Sequence, residues 1–241
     1  MNRINLLFLF AVSILASCAP ARFVEPLKKG QQVITGNFGG PVAKIPGIGA
    51  IPIPFTAIGY GYGISNKTTV FGNLHTTSLA FGVGQTDIGV SQSLWKNNQM
   101  GLSAQGTMNV LVDFYTGANR FWPQLDANYY FKYGKSFKKV EYFEGDAICK
   151  IESKRYNFFY AGISNWFDPY KTESQGRPNE QFWIPSIQLG HQWIRTKWSY
   201  QAELKLLAPN QSNQNIVVDY PSLLNNRGAM GLYFGITYHL K

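Results

Sequence analysis

The sequence predicts an all-β protein, a closed antiparallel transmembrane β-barrel of about ten strands, with eight or twelve also fitting. Apolar and polar residues alternate with period two in many segments, and no sustained helical periodicity follows Gln31. The polar face of these segments is mostly Gly, Ser, Thr, Gln and Asn. Solvated strands carry more charge, whereas small uncharged groups that satisfy each other suit an enclosed lumen. The opposite face is apolar, with Trp and Tyr near strand ends, as a lipid-facing band with aromatic girdles requires. Alternation alone also fits a lipid-tethered soluble barrel or sandwich, so the composition of the polar face decides. In lipid every strand needs a partner, and the sheet must close.

Composition agrees. The chain has 24 Gly and 15% aromatic residues, which favours twisted strands and tight turns over helices. A net charge of +9 invites a nucleic-acid reading, but charged residues are only 15% of the chain. No basic run interleaves with stacking aromatics, so nucleic acid is excluded as a partner. The surplus charge reads as loop Lys and Arg facing anionic outer-membrane lipid or lipopolysaccharide.

At the start of the chain Asn2 and Arg3 precede an apolar run from Leu6 to Leu15, too short to span a bilayer. Residues 1–17 read as a signal peptide. Leu15-Ala16-Ser17-Cys18 resembles a bacterial lipobox. That resemblance implies cleavage before Cys18, lipidation of its thiol, and an outer-membrane lipoprotein anchored there. Residues 18–29 are then a lipidated tether and residues 30–241 the β-barrel domain. Some lipoproteins of the kind this start resembles carry an acidic run after the Cys that directs them to the cell surface. Ala19-Pro20-Ala21-Arg22 has none, so the resemblance implies an N-terminus on the periplasmic side. Cys149 is left without a partner in the same chain, which excludes a disulfide framework within the monomer.

Strands are expected near 31–39, 55–65, 67–77, 84–95, 100–113, 122–133, 155–166, 184–195, 198–207 and 229–240. The cleanest is 100–113, where Leu102, Ala104, Met108, Val110 and Val112 oppose Ser103, Gln105, Thr107, Asn109 and Asp113. Short connections at Ser65-Asn66-Lys67, Lys96 to Gln99 and Arg195-Thr196-Lys197 read as periplasmic turns. Long ones near 40–54, 167–183 and 208–228 read as external loops. Residues 134–154 break that rule: either the flanking strands project as a hairpin with its tip near Glu144-Gly145-Asp146, or the strand order is off by one. The stretch from Gly40 to Pro54 is apolar, and its Pro and Gly spacing opposes both a helix and a regular central strand. It reads as a segment docking on a partner or plugging the lumen, or as an extended crossing on the barrel rim.

The last segment, Gly235-Ile236-Thr237-Tyr238-His239-Leu240, is similar to the terminal assembly signal of outer-membrane proteins, with Tyr233 at the upstream position. It departs from the commonest form by ending in Lys241 rather than an aromatic. Tyr233, Gly235, Tyr238 and Leu240 would thus engage the barrel-assembly machinery. Together the two end motifs make the chain resemble the barrel-shaped outer-membrane lipoproteins common in Bacteroidota.

The lumen-facing polar set is Asn73, His75, Asp87, Asp113, Asp126, Lys132, Glu203 and Lys205. Asp113 and Asp126 would repel unless Lys132 or Lys205 stood between them. A catalytic reading pairs His75 with a carboxylate and a hydroxyl such as Ser78, yet three residues apart on a strand these point to opposite faces. His191 shares the outward face of Ile187, Leu189 and Trp193. No Cys/His/Asp cluster has metal-ligand spacing and no phosphate-cradling glycine motif opens a helix, so neither metal nor cofactor is expected. The first functional expectation is a non-enzymatic structural or accessory partner in an envelope complex. The alternatives are a narrow channel or small-ligand carrier, and a lipid-modifying enzyme.

Overall fold

The wall begins at the closure that the alternation demands. In the computed structural model, residues 19–144, 147–172, 178–179, 181–214 and 218–240 are described, with side chains outside 135–154. Residues 1–18, which include the expected signal peptide and the expected lipidation site Cys18, lie outside these residues. The strands are β1 (Gln32–Ile45), β2 (Gly49–Pro52), β3 (Thr56–Gly63), β4 (Thr68–His75), β5 (Val83–Lys96) and β6 (Met100–Asp113). They continue as β7 (Asn119–Glu144), β8 (Ala147–Phe167), β9 (Trp183–Ile194), β10 (Trp198–Ser212) and β11 (Arg227–His239). A one-turn helix α1 (Thr76–Ala80) follows β4. Neighbours pair antiparallel in chain order, and β11 returns to β1 from Val33 opposite His239 to Pro41 opposite Gly231. Because β2 pairs only with the outer end of β1, the closed wall has ten strands.

The faces follow from period two. On β5, Gln85, Asp87, Ser91 and Ser93 are buried inside, while Ile88, Val90 and Leu94 lie outside, Ile88 at 65% exposure. On β10, Ser199, Gln201, Glu203 and Lys205 are buried, whereas Trp198, Tyr200 and Leu204 are exposed. The outside is thus a continuous apolar surface and the inside holds the polar groups, the reverse of a soluble protein. No helix among the described residues is long and apolar enough to cross a membrane, which leaves crossing to the strands.

One end of the barrel carries the tight connections at 64–67, 97–99 and 195–197, together with both ends of the wall sequence. The other end carries the described parts of the connections after β8 and β10, residues 168–172, 178–179, 181–182, 213–214 and 218–226. Two ambiguous segments are settled here. Residues 134–144 and 147–154 pair as a projecting hairpin, running from Ser136 opposite Arg155 to Glu144 opposite Ala147 after a register shift past Tyr133, and the expected tip residues Gly145 and Asp146 lie outside the described residues. It extends beyond the last rungs that β7 shares with β6 (Phe131 with Met100) and β8 shares with β9 (Tyr156 with Ile194).

Residues 40–54 sit on the rim rather than in the lumen, but as more than an irregular crossing. β1 runs on through Pro41 and turns back as β2, and Lys44 N–H donates to the Asp219 carbonyl. Proline is tolerated because Pro41 lies near the end of the β11 pairing and Pro52 lies on the free edge of β2.

Candidate functional site

The lumen is filled from two directions, by aromatic side chains of the wall and by the segment that precedes the first strand. Tyr130, Tyr156, Phe158, Tyr160 and Tyr233 all point inward and are buried. Tyr130 shares the parity of Asn128 and Lys132 on β7, so alternation places it inside. The Phe158 ring packs 5.6 Å from that of Tyr130 and 6.2 Å from that of Tyr160. Ala21 and Val24 join this cluster, which brings the N-terminal segment into the core.

Residues 19–29 are therefore not an external tether. The chain turns at Gly30 (φ 80), where Gln31 N–H donates to the Lys28 carbonyl, and runs back up the lumen as far as Ala19. Local chemistry makes this tolerable. Pro20 and Pro26 bring no amide proton and forbid a helix, so an extended segment with fewer donors to satisfy enters the barrel. Wall side chains satisfy the rest of its backbone. Lys205 Nζ donates to the Ala19 carbonyl at 3.0 Å, and Gln201 Nε2 to that of Ala21 at 2.9 Å. Gln105 Nε2 donates to the Arg22 carbonyl. Ser91 and Ser103 hydroxyls donate to the carbonyls of Phe23 (2.8 Å) and Val24 (2.7 Å). In the other sense, Ala21 N–H donates to Glu203 Oε2 at 2.9 Å and Leu27 N–H to Thr69 Oγ1 at 2.7 Å.

These inward Ser and Gln residues thus bond the backbone of the plugging segment more than they bond each other. The wall is also shaped for it. A Cβ on Gly61 or Gly63 would collide with the Phe23 ring or the Lys28 carbonyl respectively, so these glycines leave the space the segment occupies. Phe23 holds the left-handed region (φ 45), uncommon and strained for an aromatic residue, while its ring packs 5.5 Å from Phe71.

Charges follow the same plan. Arg22 Nη1 donates to Asp87 Oδ1 at 2.8 Å, Asn73 Nδ2 donates to the same oxygen at 2.7 Å, and His75 Nε2–H donates to Asp87 Oδ2 at 2.8 Å. Glu25 accepts from Lys132 Nζ and from the Tyr156 hydroxyl at 2.6 Å. Glu203 accepts from the Tyr160 hydroxyl at 2.6 Å and is ion-paired with Lys205 at 3.3 Å. Asp126 accepts from Gln124 Nε2 at 2.9 Å. Each buried carboxylate has at least one directed donor, as the cost of an unpaired buried charge requires. Above Ala19 the lumen holds a cavity of about 20 Å³, bounded by groups that include His75, Asn109, Gln124 and Asp126.

Of the polar set read from the sequence, Asn73, His75, Asp87, Asp126, Lys132, Glu203 and Lys205 face the lumen. Asp113 does not belong to it. Its inward parity is right but its height is wrong: as the last residue of β6 it caps the following turn, accepting from Tyr115 N–H and from the Thr116 hydroxyl, both at 2.8 Å. The Thr116 hydroxyl bond holds its carboxyl below the ordinary aspartate range. Repulsion between Asp113 and Asp126 does not arise, since Asp126 lies opposite Gln105 and Asp113 opposite Val83. Lys132 serves Glu25 rather than either aspartate.

Ser78 turns inward after all, because α1 rather than a continued strand carries it, but its hydroxyl donates to Gln85 at 2.7 Å and not to His75. Outside, His191 shares a 2.6 Å hydrogen bond with the Tyr133 hydroxyl and packs between Phe159 and Trp193. Of the terminal motif, Tyr233 is buried in the lumen with Lys205 Nζ 5.3 Å from its ring centre, and Tyr238 packs on Trp198 outside. Among the described residues no group of three or more His, Cys, Asp or Glu is placed to hold a metal ion.

Sequence reasoning missed Arg22 and Glu25 as lumen residues. The available signal was an Arg and a Glu set three apart in a proline-containing segment. Replacing Tyr160 with Phe removes the hydroxyl that donates to Glu203 and accepts from Gln201 Nε2. The expected loss is about 1.5–3 kcal/mol, the range for a bond to a charged group. It is read as a lower urea midpoint at unchanged slope.

No protein-family model matches the chain, and no curated protein matches it. Among solved structures it is similar to LpxR from Salmonella typhimurium, at 6% identity and a TM-score of 0.39, covering 87% of this chain and 99% of that one. It is similar to the translocator domain of the autotransporter NalP from Neisseria meningitidis, at 9% identity and a TM-score of 0.35, covering 89% and 90%. It is also similar to the outer membrane protein OprG from Pseudomonas aeruginosa, at 11% identity and a TM-score of 0.28, covering 90% and 99%. Likeness at this level says nothing about catalysis or cargo.

Proposed function

We propose that this chain is an outer-membrane lipoprotein barrel, closed at rest, that serves as a structural or accessory partner in an envelope complex. The carrying observation is the occupied lumen. Residues 19–29 are bonded to β4, β5, β6 and β10, and the cavity above them is about the size of one water molecule. Among the described residues, a lumen so filled leaves little room for solute, which makes the barrel's surfaces the functional parts. The apolar outer face supports a place in a bilayer, and the tight-turn end, with the projecting hairpin, supports a periplasmic-facing side where a partner docks. Lys and Arg in the connections suit contact with anionic lipid or lipopolysaccharide. Insertion by the barrel-assembly machinery and a lipid on Cys18 complete the reading.

Two measurements test it. Purified protein should run as a compact, heat-modifiable band and insert into liposomes, and in planar bilayers it should stay closed almost all the time. Steady, large conductance from the unaltered chain would sink the structural reading. For the anchor, Cys18→Ser should abolish acyl labelling and block cleavage by the lipoprotein peptidase; undiminished labelling would remove the lipid from the proposal.

A further inference from the structure

We propose that residues 19–29 are a releasable plug, and that their withdrawal toward the tight-turn end opens a narrow, cation-preferring path through the barrel. This rests on the reading of the chain as a closed outer-membrane barrel and adds to it a second state.

The wall does not need the segment. Closure is made by β11 on β1, and residues 19–29 contribute no rung to any strand pair. The segment is held by hydroxyl, amide and ammonium groups donating to its carbonyls, by its own N–H donation to Glu203 and Thr69, and by burial of Ala21 and Val24. Water replaces the hydrogen bonds, so the apolar contacts set most of the cost of release. Of its two ion pairs, Arg22 and Glu25 leave with the segment, while Asp87 keeps Asn73 and His75 as hydrogen-bond partners and Lys132 stays on the wall facing the opened bore. Strain at Phe23 is relieved on leaving. The hinge is already present: Gly30 has positive φ and open space where a side chain would stand.

Withdrawal leaves a bore about as wide as one extended polypeptide, roughly 5 Å by 10 Å, enough for water, small ions and small polar solutes. Its upper continuation is the small cavity lined by His75, Asn109, Gln124 and Asp126. Release leaves the net charge of the bore unchanged, because Arg22 and Glu25 depart together, but it unpairs two wall groups. Asp87 loses the guanidinium of Arg22 and Lys132 loses the carboxylate of Glu25. Apart from His75, the lumen groups named above are then the carboxylates of Asp87, Asp126 and Glu203 against the ammonium groups of Lys132 and Lys205. The excess carboxylate favours cations.

The experiment uses the full chain in planar bilayers under a KCl gradient, with tryptic cleavage after Arg22 as the report of release and heat-modifiability as the report of folding. Gly61→Val puts a side chain where the Phe23 ring sits and removes no wall hydrogen bond. Open probability and cleavage at Arg22 should each rise by about tenfold or more, with a reversal potential of cation sign. Adding Phe23→Ala frees that space again and should return both to the unaltered level. Should Gly61→Val fail to fold, Ser91→Ala combined with Ser103→Ala, which removes two donors to the segment and no strand rung, carries the same expectation.

A folded Gly61→Val barrel cut faster yet electrically silent would overturn the path. One neither cut faster nor opened would make the segment a fixed element of the lumen and overturn the plug. A reversal potential of anion sign would overturn the ligand class. Failure of the unaltered protein to insert or to show heat-modifiability would instead count against the outer-membrane reading itself.

Discussion

Arginine at Ile88 is expected to destabilise the barrel by about 2–4 kcal/mol, the cost of that residue near the bilayer midplane. Ile88 is midway along β5, 65% exposed on the outer face, with Gly72 and Met108 as its neighbours across the sheet. An arginine there cannot reach water without dragging headgroups inward. The same change at Leu94, two residues from the end of β5 and equally outward, should cost only about 0–1 kcal/mol, because the guanidinium snorkels to the interface. Urea unfolding in lipid vesicles measures both, with unchanged slope as the check that the unfolded state is the same. Equal, small costs at the two positions would mean a solvated outer face and a soluble barrel.

Replacing Lys205 with Met is the second large effect, a loss of about 3–5 kcal/mol, as for removing one partner of a buried pair. Both partners are buried, and the ammonium also holds the Ala19 carbonyl and sits over Tyr233. Glu203 would keep the Tyr160 hydroxyl and the Ala21 N–H, neither of which cancels its charge. Adding Glu203→Gln should recover some of the loss, since a neutral amide still accepts from Tyr160 and no longer bears the desolvation cost of a carboxylate. A double-mutant cycle reads the coupling. Additive losses without recovery would show two independently hydrated charges, and hence a lumen wet even with the segment seated.

The strand pattern was legible because side-chain direction alternates strictly and the two faces meet opposite environments. The expected span 100–113 coincides with β6, and 198–207 identifies β10 but ends before Ser212. The 122–133 span stops well short of Glu144, because β7 runs on past its last rung with β6 and pairs there with β8 alone. Parity also identified the inward charges on β4, β5, β7 and β10. It failed at Asp113 because parity gives direction and not height, and a side chain at a strand end can bond its own turn.

What the sequence alone determined is which side of the sheet each strand residue takes, and therefore that the chain closes into a barrel with polar groups inside. Period-two patterning is local, and each strand states it independently of its neighbours. What only the tertiary structure decided is what those polar groups bond. The inward polar groups were expected to satisfy one another, whereas Ser91, Ser103, Gln105 and Gln201 also donate to the carbonyls of Phe23, Val24, Arg22 and Ala21. The N-terminal segment has no periodicity to read, because its backbone is held by side chains from four strands far apart in sequence. Its place is set by the summed geometry of donors, glycine gaps and opposite charges that meet only once the wall has closed.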